Sequence, residues 1–161
     1  MDVEVSVEID RPANLVWPVL IDVERWPEWT ASMISVEHLD SPPFGIGSRV
    51  RIRQPKLKTM VWRVSEYEQG RLFTWEARSP GILVVGSHAV QASGRGCVVT
   101  LGVDQRGFMA PLVKLLWGKL TRRYVEIEAQ SLKKRCESIV ANQSGETLLI
   151  TSRIRSPMIN C

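Results

Sequence analysis

Three polar residues are predicted to face the interior of the fold, where each could contact a bound small molecule. Gln54 and His88 have the same parity as the apolar positions of two predicted strands, and Tyr124 belongs to the apolar stripe of a predicted helix. An imidazole changes protonation near neutral pH, so His88 suits general acid–base chemistry. The Tyr124 hydroxyl could donate a hydrogen bond to a ligand carbonyl. His88 and Tyr124 are therefore the candidate catalytic residues.

Each candidate also has a purely structural alternative. His88 could be a buried neutral histidine held by one hydrogen bond, and Tyr124 could pack in the core with its hydroxyl reaching solvent or backbone. Glu76 and Arg63 have the opposite strand parity and are expected to face solvent, so neither is a candidate acid or base.

Motifs for other kinds of chemistry are missing from the sequence. Cys97, Cys136 and Cys161 are far apart, and neither His38 nor His88 stands near a cysteine, so no metal centre is predicted. We find no Ser-His-Asp order, phosphate loop, dinucleotide fingerprint or paired-carboxylate site. No cofactor is therefore expected. Cyclisation chemistry needs no cofactor, only a shaped pocket and a proton shuttle, so an enzyme is not excluded.

Apolar residues on the inward faces are the candidates for the walls of a ligand cavity. These apolar residues are Met33, Val50, Ile52, Met60, Trp62, Trp75, Val84, Val113, Trp117 and Leu120, and Gln54 is the one polar residue added to the set. Ligand pockets are mostly apolar with a few placed polar groups, which this set resembles. The tryptophans could equally be solid core, and parity cannot separate these two interpretations.

The elements that position these residues follow from the periodicity. Residues 3–9 alternate between apolar and polar, which predicts a strand. A short helix follows, in which Pro18 predicts a kink or an early stop, and a further helical turn covers 23–29. Six more period-two segments, joined by turns such as "SGRG", predict an antiparallel meander of seven strands in total.

One long amphipathic helix is predicted from about Pro111 to Glu137, roughly 40 Å in length. Its apolar stripe is read at steps of four and three through Val113, Trp117, Leu120, Tyr124, Ile127 and Ser131. A curved sheet closed over a single helix tends to leave a space between them. Trp26 and Trp29, at the turn after the short helices, are expected to close one end of that space.

Composition is that of an ordinary globular domain. The chain has 161 residues, 44% of them hydrophobic, and a net charge of +4. Its basic runs are interpreted as solvated faces, so no nucleic-acid partner is expected. No apolar run approaches the roughly 20 residues that span a bilayer. "MDVEVSVEID" does not resemble a signal or transit peptide, so a cytoplasmic location is expected.

Several segments resemble one family. "VEIDRPANLVWPVLIDVERWPEW", "IGSRVRIRQPKL", "VWRVSEYEQGRLFTWEARSPG" and "RRYVEIEAQSLKKRCE" are similar to small bacterial members of the START-like, polyketide cyclase/dehydrase-type proteins, the SRPBCC superfamily. The resemblance covers about residues 3–137. It implies an α+β fold, the helix-grip of the birch-pollen-allergen type: a curved seven-stranded antiparallel sheet wrapped on the C-terminal helix, with two short helices after the first strand. It carries no universal catalytic motif.

Three functions remain open from the sequence. The first is binding of a hydrophobic or aromatic small molecule, lipid- or polyketide-like, between sheet and helix. The second is a cofactor-independent polyketide cyclase, aromatase or dehydratase, which an acidic residue paired with His88 inside the pocket would favour. The third is a protein-interaction module that acts through its tail or its basic strand face.

The domain is predicted to cover residues 1–138, followed by a loosely ordered C-terminal tail over 139–161. This tail lacks a convincing period, although "TLLITSRI" could add a strand. The chain is expected to be a monomer or a homodimer.

Overall fold

The computed structural model describes residues 1–151, with side chains through residue 139. Its elements are β1 (Val3–Ile9), α1 (Ala13–Ile21), a 3₁₀ turn (Val23–Arg25), α2 (Trp26–Trp29), β2 (Ser35–His38), β3 (Arg49–Arg53), β4 (Met60–Glu68), β5 (Leu72–Ser79), β6 (Ile82–Ser93), β7 (Gly96–Arg106) and α3 (Ala110–Thr151). The predicted order of one strand, two short helices, six strands and one long helix is confirmed.

All seven strands form one antiparallel sheet in the order β1-β7-β6-β5-β4-β3-β2. Strands β2 to β7 follow one another as a meander, and β1 pairs with β7. In the middle of the sheet, His88 of β6 lies between Phe73 of β5 and Leu101 of β7. All three side chains are buried, because residues opposite each other in adjacent strands share a face. This face is the floor on which α3 packs.

Helix α1 continues past its internal proline. It reaches Ile21, and the Asp22 N–H donates to the Pro18 carbonyl at 3.2 Å, so the early stop expected at Pro18 does not occur. Proline removes one backbone hydrogen bond. The buried side chains of Val16, Trp17 and Leu20 hold the helix on both sides of that gap.

Trp26 fills the end of the core under the short helices. Its side chain is fully buried, and its indole N–H donates to the Leu20 carbonyl at 3.1 Å. The ring lies 5.8 Å from that of Trp29 and 5.4 Å from those of both Trp75 and His88, centroid to centroid. The two tryptophans of "ERWPEW" therefore plug one end of the core.

Helix α3 packs against β1 and β7 and also touches α1 and α2. It begins at Ala110, as predicted, but it extends to Thr151 rather than ending near Glu137. No proline interrupts the sequence between Pro111 and Thr151, so no strong helix breaker stands in this range. Within "TLLITSRI" the residues up to Thr151 are helical rather than a strand. The rest of the predicted tail, 152–161, lies outside the described residues.

The outer face of β3 is less cationic than the sequence suggests. Arg49 forms an ion pair with Asp40 at 2.8 Å, and Arg51 pairs with Glu37 at 2.6 Å. The Arg49 side chain and backbone N–H both donate to Asp40, and these bonds lower the pKa of that carboxyl. Two of the three arginines on this face are thus balanced within the β2–β3 hairpin region. Among the helices described, none is long and apolar enough to cross a membrane.

Candidate functional site

A cavity of about 310 Å³ lies between the sheet and the first half of α3. The residues predicted as site residues that line it are Met33, Ile52, Gln54, Met60, Trp62, Trp75, Val84, His88, Val113, Trp117 and Tyr124. Strands β3 to β7 and helix α3 all contribute to the wall. The structure therefore brings together most of the residues that strand parity selected, and their role in binding a ligand stays a prediction.

Two of the predicted wall residues lie elsewhere. Val50 points inward as expected, but it is fully buried in the core cluster and does not reach the cavity. Strand parity tells which face a side chain takes, not how far along the strand a cavity extends. Leu120 is half-buried and stands one position away from Thr121, which does line the cavity. One residue turns a helix by more than a quarter of a circle, so Leu120 faces sideways.

The inward face of α3 differs from the predicted stripe in its second half. Cavity-lining positions are Val113, Trp117, Thr121, Tyr124, Val125 and Glu128, and the buried residues Ala129, Leu132 and Cys136 continue the same face. Ile127 and Ser131, which the sequence pattern placed on this face, are only half-buried. This difference between the predicted and the observed face matters, because the observed face directs the carboxylate of Glu128 into the cavity.

Glu128 and His88 form a buried pair across the cavity. His88 Nε2 lies 3.2 Å from Glu128 Oε1, and the two side chains are only 6% and 10% exposed. Strand β6 supplies the histidine and α3 supplies the carboxylate, so the pair links the two layers that enclose the cavity. Sequence reasoning missed Glu128, although its spacing of four residues from Tyr124 was the available signal.

Aromatic rings fix the orientation of the His88 imidazole. It stacks on Phe73, with ring centroids 4.3 Å apart and planes 9° from parallel, and meets the edge of Trp75 at 5.2 Å. Its Nδ1 atom is buried and has no hydrogen-bond partner among the described residues. With the proton on Nε2, the imidazole donates to Glu128. With both nitrogens protonated, it forms an ion pair with the same carboxylate, so the pair can hold or release one proton inside an apolar cavity.

The Tyr124 hydroxyl is already engaged. It donates to the backbone carbonyl of Pro55 at 2.5 Å and thereby fastens the β3–β4 connection to α3. This geometry matches the structural alternative, in which the hydroxyl reaches backbone. A catalytic role for Tyr124 would require that this bond be exchanged for one to the ligand.

Further polar residues line the cavity that sequence reasoning did not select. They are Lys56, Lys58, Ser79, Ser87, Gln105 and Thr121, in addition to Glu128. Lys56 and Lys58 lie in the β3–β4 connection and are exposed, which places them at the opening. Loop residues have no periodicity that would assign them to a face, so the sequence offered no signal for these two.

Gly86 leaves room for one of the tryptophans. It lies opposite Trp75 in the β5–β6 register, and a Cβ atom at this position would stand 2.5 Å from Trp75 Nε1. Glycine therefore allows the indole to approach β6 closely, between the rings of Trp26 and Trp62 at 5.4 and 5.5 Å.

Within residues 1–139, no cluster of three or more His, Cys, Asp or Glu side chains is arranged to hold a metal ion. Cys97 and Cys136 are free, buried thiols that do not line the cavity. Burial raises the pKa of the Cys136 thiol to about 12, so it is protonated and a poor nucleophile at neutral pH.

A seven-stranded antiparallel sheet that encloses a cavity against a long C-terminal helix defines the helix-grip class of START-like proteins. The family described as "Polyketide cyclase / dehydrase and lipid transport" matches residues 1–137. The chain therefore belongs to this family. A search of curated proteins found no match.

Solved structures share the fold at low sequence identity. The Zhui aromatase/cyclase from Streptomyces sp. R1128 is 19% identical, with a TM-score of 0.69 over 86% of this chain and 94% of that one. A START superfamily protein from Mycobacterium smegmatis is 17% identical, with a TM-score of 0.68 over 85% and 97%. Norcoclaurine synthase from Thalictrum flavum, in complex with dopamine and hydroxybenzaldehyde, is 12% identical, with a TM-score of 0.67 over 84% and 86%. At these identities the likeness concerns the fold alone.

Proposed function

We propose that this protein binds one compact hydrophobic or aromatic small molecule between the sheet and α3. The observation that carries the proposal is the cavity of about 310 Å³ beside Trp62, Trp75 and Trp117. Trp26 and its neighbours fill the opposite end of the core. The open space is therefore confined to the other end, between the sheet and the first half of α3. The family description, which names both cyclisation and lipid transport, supports a ligand of this class.

The size of the cavity narrows the ligand. Ligand pockets have volumes of about 300–1,000 Å³, so this one lies at the lower end. A molecule of a few rings, or one short chain, fits better than a lipid with two long acyl chains. Gln54, Ser87 and Gln105 are among the polar residues of a largely apolar wall, which suits a ligand that carries a few carbonyl or hydroxyl oxygens.

A filled-cavity variant tests this proposal. Val84 lies in the wall and is half-buried, whereas Val61 lies exposed on the outer face of β4. Val84→Phe should weaken binding of a neutral fluorescent probe such as Nile red at least tenfold, and the matched control Val61→Phe should leave it unchanged. Melting curves confirm that both variants fold. Equal affinity of Val84→Phe and wild type would mean that the probe binds outside the cavity, against the proposal.

Catalysis is the second candidate function, and the His88–Glu128 pair favours it. In a poly-β-ketone, a base removes a proton from the carbon between two carbonyls. The carbanion attacks another carbonyl carbon to form the ring bond, and the resulting alkoxide takes up a proton before water is lost. The pair can accept the first proton and return it, so the reaction needs no oxidant, reductant or cofactor.

The catalytic candidate is tested with a synthetic poly-β-keto thioester and mass spectrometry of the cyclised products. A general base contributes about 100-fold or more, so His88→Gln and Glu128→Gln should each lower the rate by at least that factor. The control is His38→Gln, because His38 does not line the cavity. If wild type reacts no faster than His88→Gln, His88 takes no part in this reaction and the catalytic candidate is refuted.

A further inference from the structure

One face of α3 points away from the sheet and carries exposed leucines followed by cations. We call it the outer stripe: Leu112, Leu115, Leu116, Lys119, Arg122 and Arg123, all of them exposed. Their spacing of three, four, seven, ten and eleven residues from Leu112 places them on one side of the helix. Leu115 is 82% exposed and Leu116 58%, and Phe108, just before the helix, is 83% exposed. Adjacent exposed leucines of this kind mark a surface that meets a partner.

All the charge within the outer stripe is positive. The sequence contains no acidic residue between Asp104 and Glu126. Two of the cations in this range are balanced from nearby, because Arg106 pairs with Asp104 and Lys114 with Asp2. Lys119, Arg122 and Arg123 make no ion pair with any residue of the described part of the chain. The stripe therefore combines three exposed leucines with three cations that are unpaired among the described residues, on successive turns.

We propose that the outer stripe docks on a lipid surface that carries anionic head groups. A helix with leucines and cations on one exposed side lies in the interface plane, where the apolar side chains enter the boundary of the acyl chains. The cations meet the negative potential of the phosphates, which attracts each Lys or Arg near the surface. Phe108 and Trp117, the latter 40% exposed, flank the stripe with aromatic rings suited to the same boundary.

Other occupants fit the charge less well. A second copy docked stripe to stripe would bring the same three cations, and the stripe itself contains no carboxylate to balance them. Residues 152–161 contain Arg153 and Arg155 and no acidic residue, so they do not complement the stripe either. An anionic lipid surface supplies both the apolar layer and the negative charge that the stripe lacks.

Docking in this way would bring the cavity to the lipid. Val113 and Trp117 line the cavity and lie on the same helical turns as Leu116 and Leu112. A ligand that leaves past Trp117 would thus enter the lipid boundary rather than water. The proposal concerns the surface only, and vesicle binding tests it whether or not the cavity holds a ligand.

The experiment measures co-sedimentation of the full chain with phosphatidylcholine vesicles, with and without phosphatidylglycerol. Wild type should bind the anionic vesicles and not the neutral ones. Binding should weaken in high salt, since the screening length falls from about 10 Å at 0.1 M to 3 Å at 1 M. The triple variant Leu112→Ser/Leu115→Ser/Leu116→Ser should bind at least tenfold more weakly.

Charge variants separate a specific surface from general attraction. Each cation removed should cost about fivefold in partitioning, so Lys119→Gln/Arg122→Gln/Arg123→Gln should bind about 100-fold more weakly than wild type. The matched control Arg53→Gln/Arg63→Gln/Arg95→Gln removes the same charge from exposed residues of the sheet, away from α3. Circular dichroism and melting curves verify that each variant is folded.

The control charge variant should retain most of the binding of wild type to anionic vesicles. An equal loss in the control, or equal binding to neutral and anionic vesicles, would overturn the proposal. The proposal would also be overturned if wild type did not bind vesicles and instead formed a dimer that the leucine variant abolishes. The stripe would then be an interface between two copies of the chain. Failure to bind vesicles, with capture of an acidic protein instead, would likewise assign the stripe to a protein partner.

Discussion

The His88–Glu128 pair should contribute more to stability than an ion pair of better geometry at the surface. The test is a double-mutant cycle with His88→Phe, Glu128→Leu and both together. Phenylalanine keeps an aromatic ring against Phe73, on which the imidazole stacks at 4.3 Å. Each single variant leaves one polar group buried without its partner, whereas the double variant leaves an apolar pair.

The magnitude follows from burial. Removing one partner of a buried, charged hydrogen bond costs about 1.5–3 kcal/mol, and at 3.2 Å this bond is at the long end for its type. The coupling energy of residues in such contact is about 0.5–3 kcal/mol, and the double variant should be less destabilised than the sum of the single ones. Urea denaturation of the four proteins measures it.

The Arg71–Glu68 pair is the matched control. Its atoms are closer, at 2.9 Å, but the two side chains are 67% and 53% exposed, against 6% and 10% for the buried pair. Exposed pairs contribute about 0–1 kcal/mol, so its cycle should give a smaller coupling energy. If the His88 and Glu128 effects simply add within about 0.5 kcal/mol, the two side chains do not interact in solution and the reasoning is wrong.

Three further predictions concern the core, the pH dependence and the end of the domain. Trp117→Ala should cost less than the about 3–5 kcal/mol of a fully packed tryptophan, because Trp117 is 40% exposed and borders the cavity; thermal melting measures it. The pKa of the Cys136 thiol is raised from 9.0 to about 12, so its contribution to stability is present below pH 9 and is lost as the pH rises towards 12. The stability advantage of wild type over Cys136→Ala should therefore shrink across that range in urea titrations, and a constant difference would contradict the assignment. Truncation after Ser138 should leave a folded domain, since it retains every buried residue of the described chain, and an unfolded product in circular dichroism would show that the remainder is integral.

Side-chain periodicity predicted the fold well because each strand has one buried face. Alternation selected Gln54 and His88 as inward residues, and both line the cavity. The same rule placed Val50 in the wall, but alternation contains no information about position along the strand. Where solid packing ends and the cavity begins depends on which rings meet across the sheet, and that is a property of the assembled fold.

The helix was harder to interpret from sequence than the strands. Steps of four and three can follow more than one line along a long helix, and the choice of Leu120 over Thr121 selected the wrong one. The true face includes Glu128, which a search for apolar residues passes over because an unpaired carboxylate is costly to bury. Its partner, His88, lies 40 residues earlier in the chain. Only the packing of α3 on β6 brings the two together.

Gly86 has a consequence for how ligand preference changes over generations. The indole of Trp75 has Trp26, Trp62 and Phe73 around it at 5.3–5.5 Å, so a methyl group at Gly86 would displace it towards the open space. Alanine is one nucleotide substitution away from glycine. Gly86 itself lines the cavity, so inherited variation at this codon would resize the space by moving the neighbouring Trp75 and would select a smaller ligand. All the other residues that line the cavity would stay the same, while the size of the ligand that fits would change.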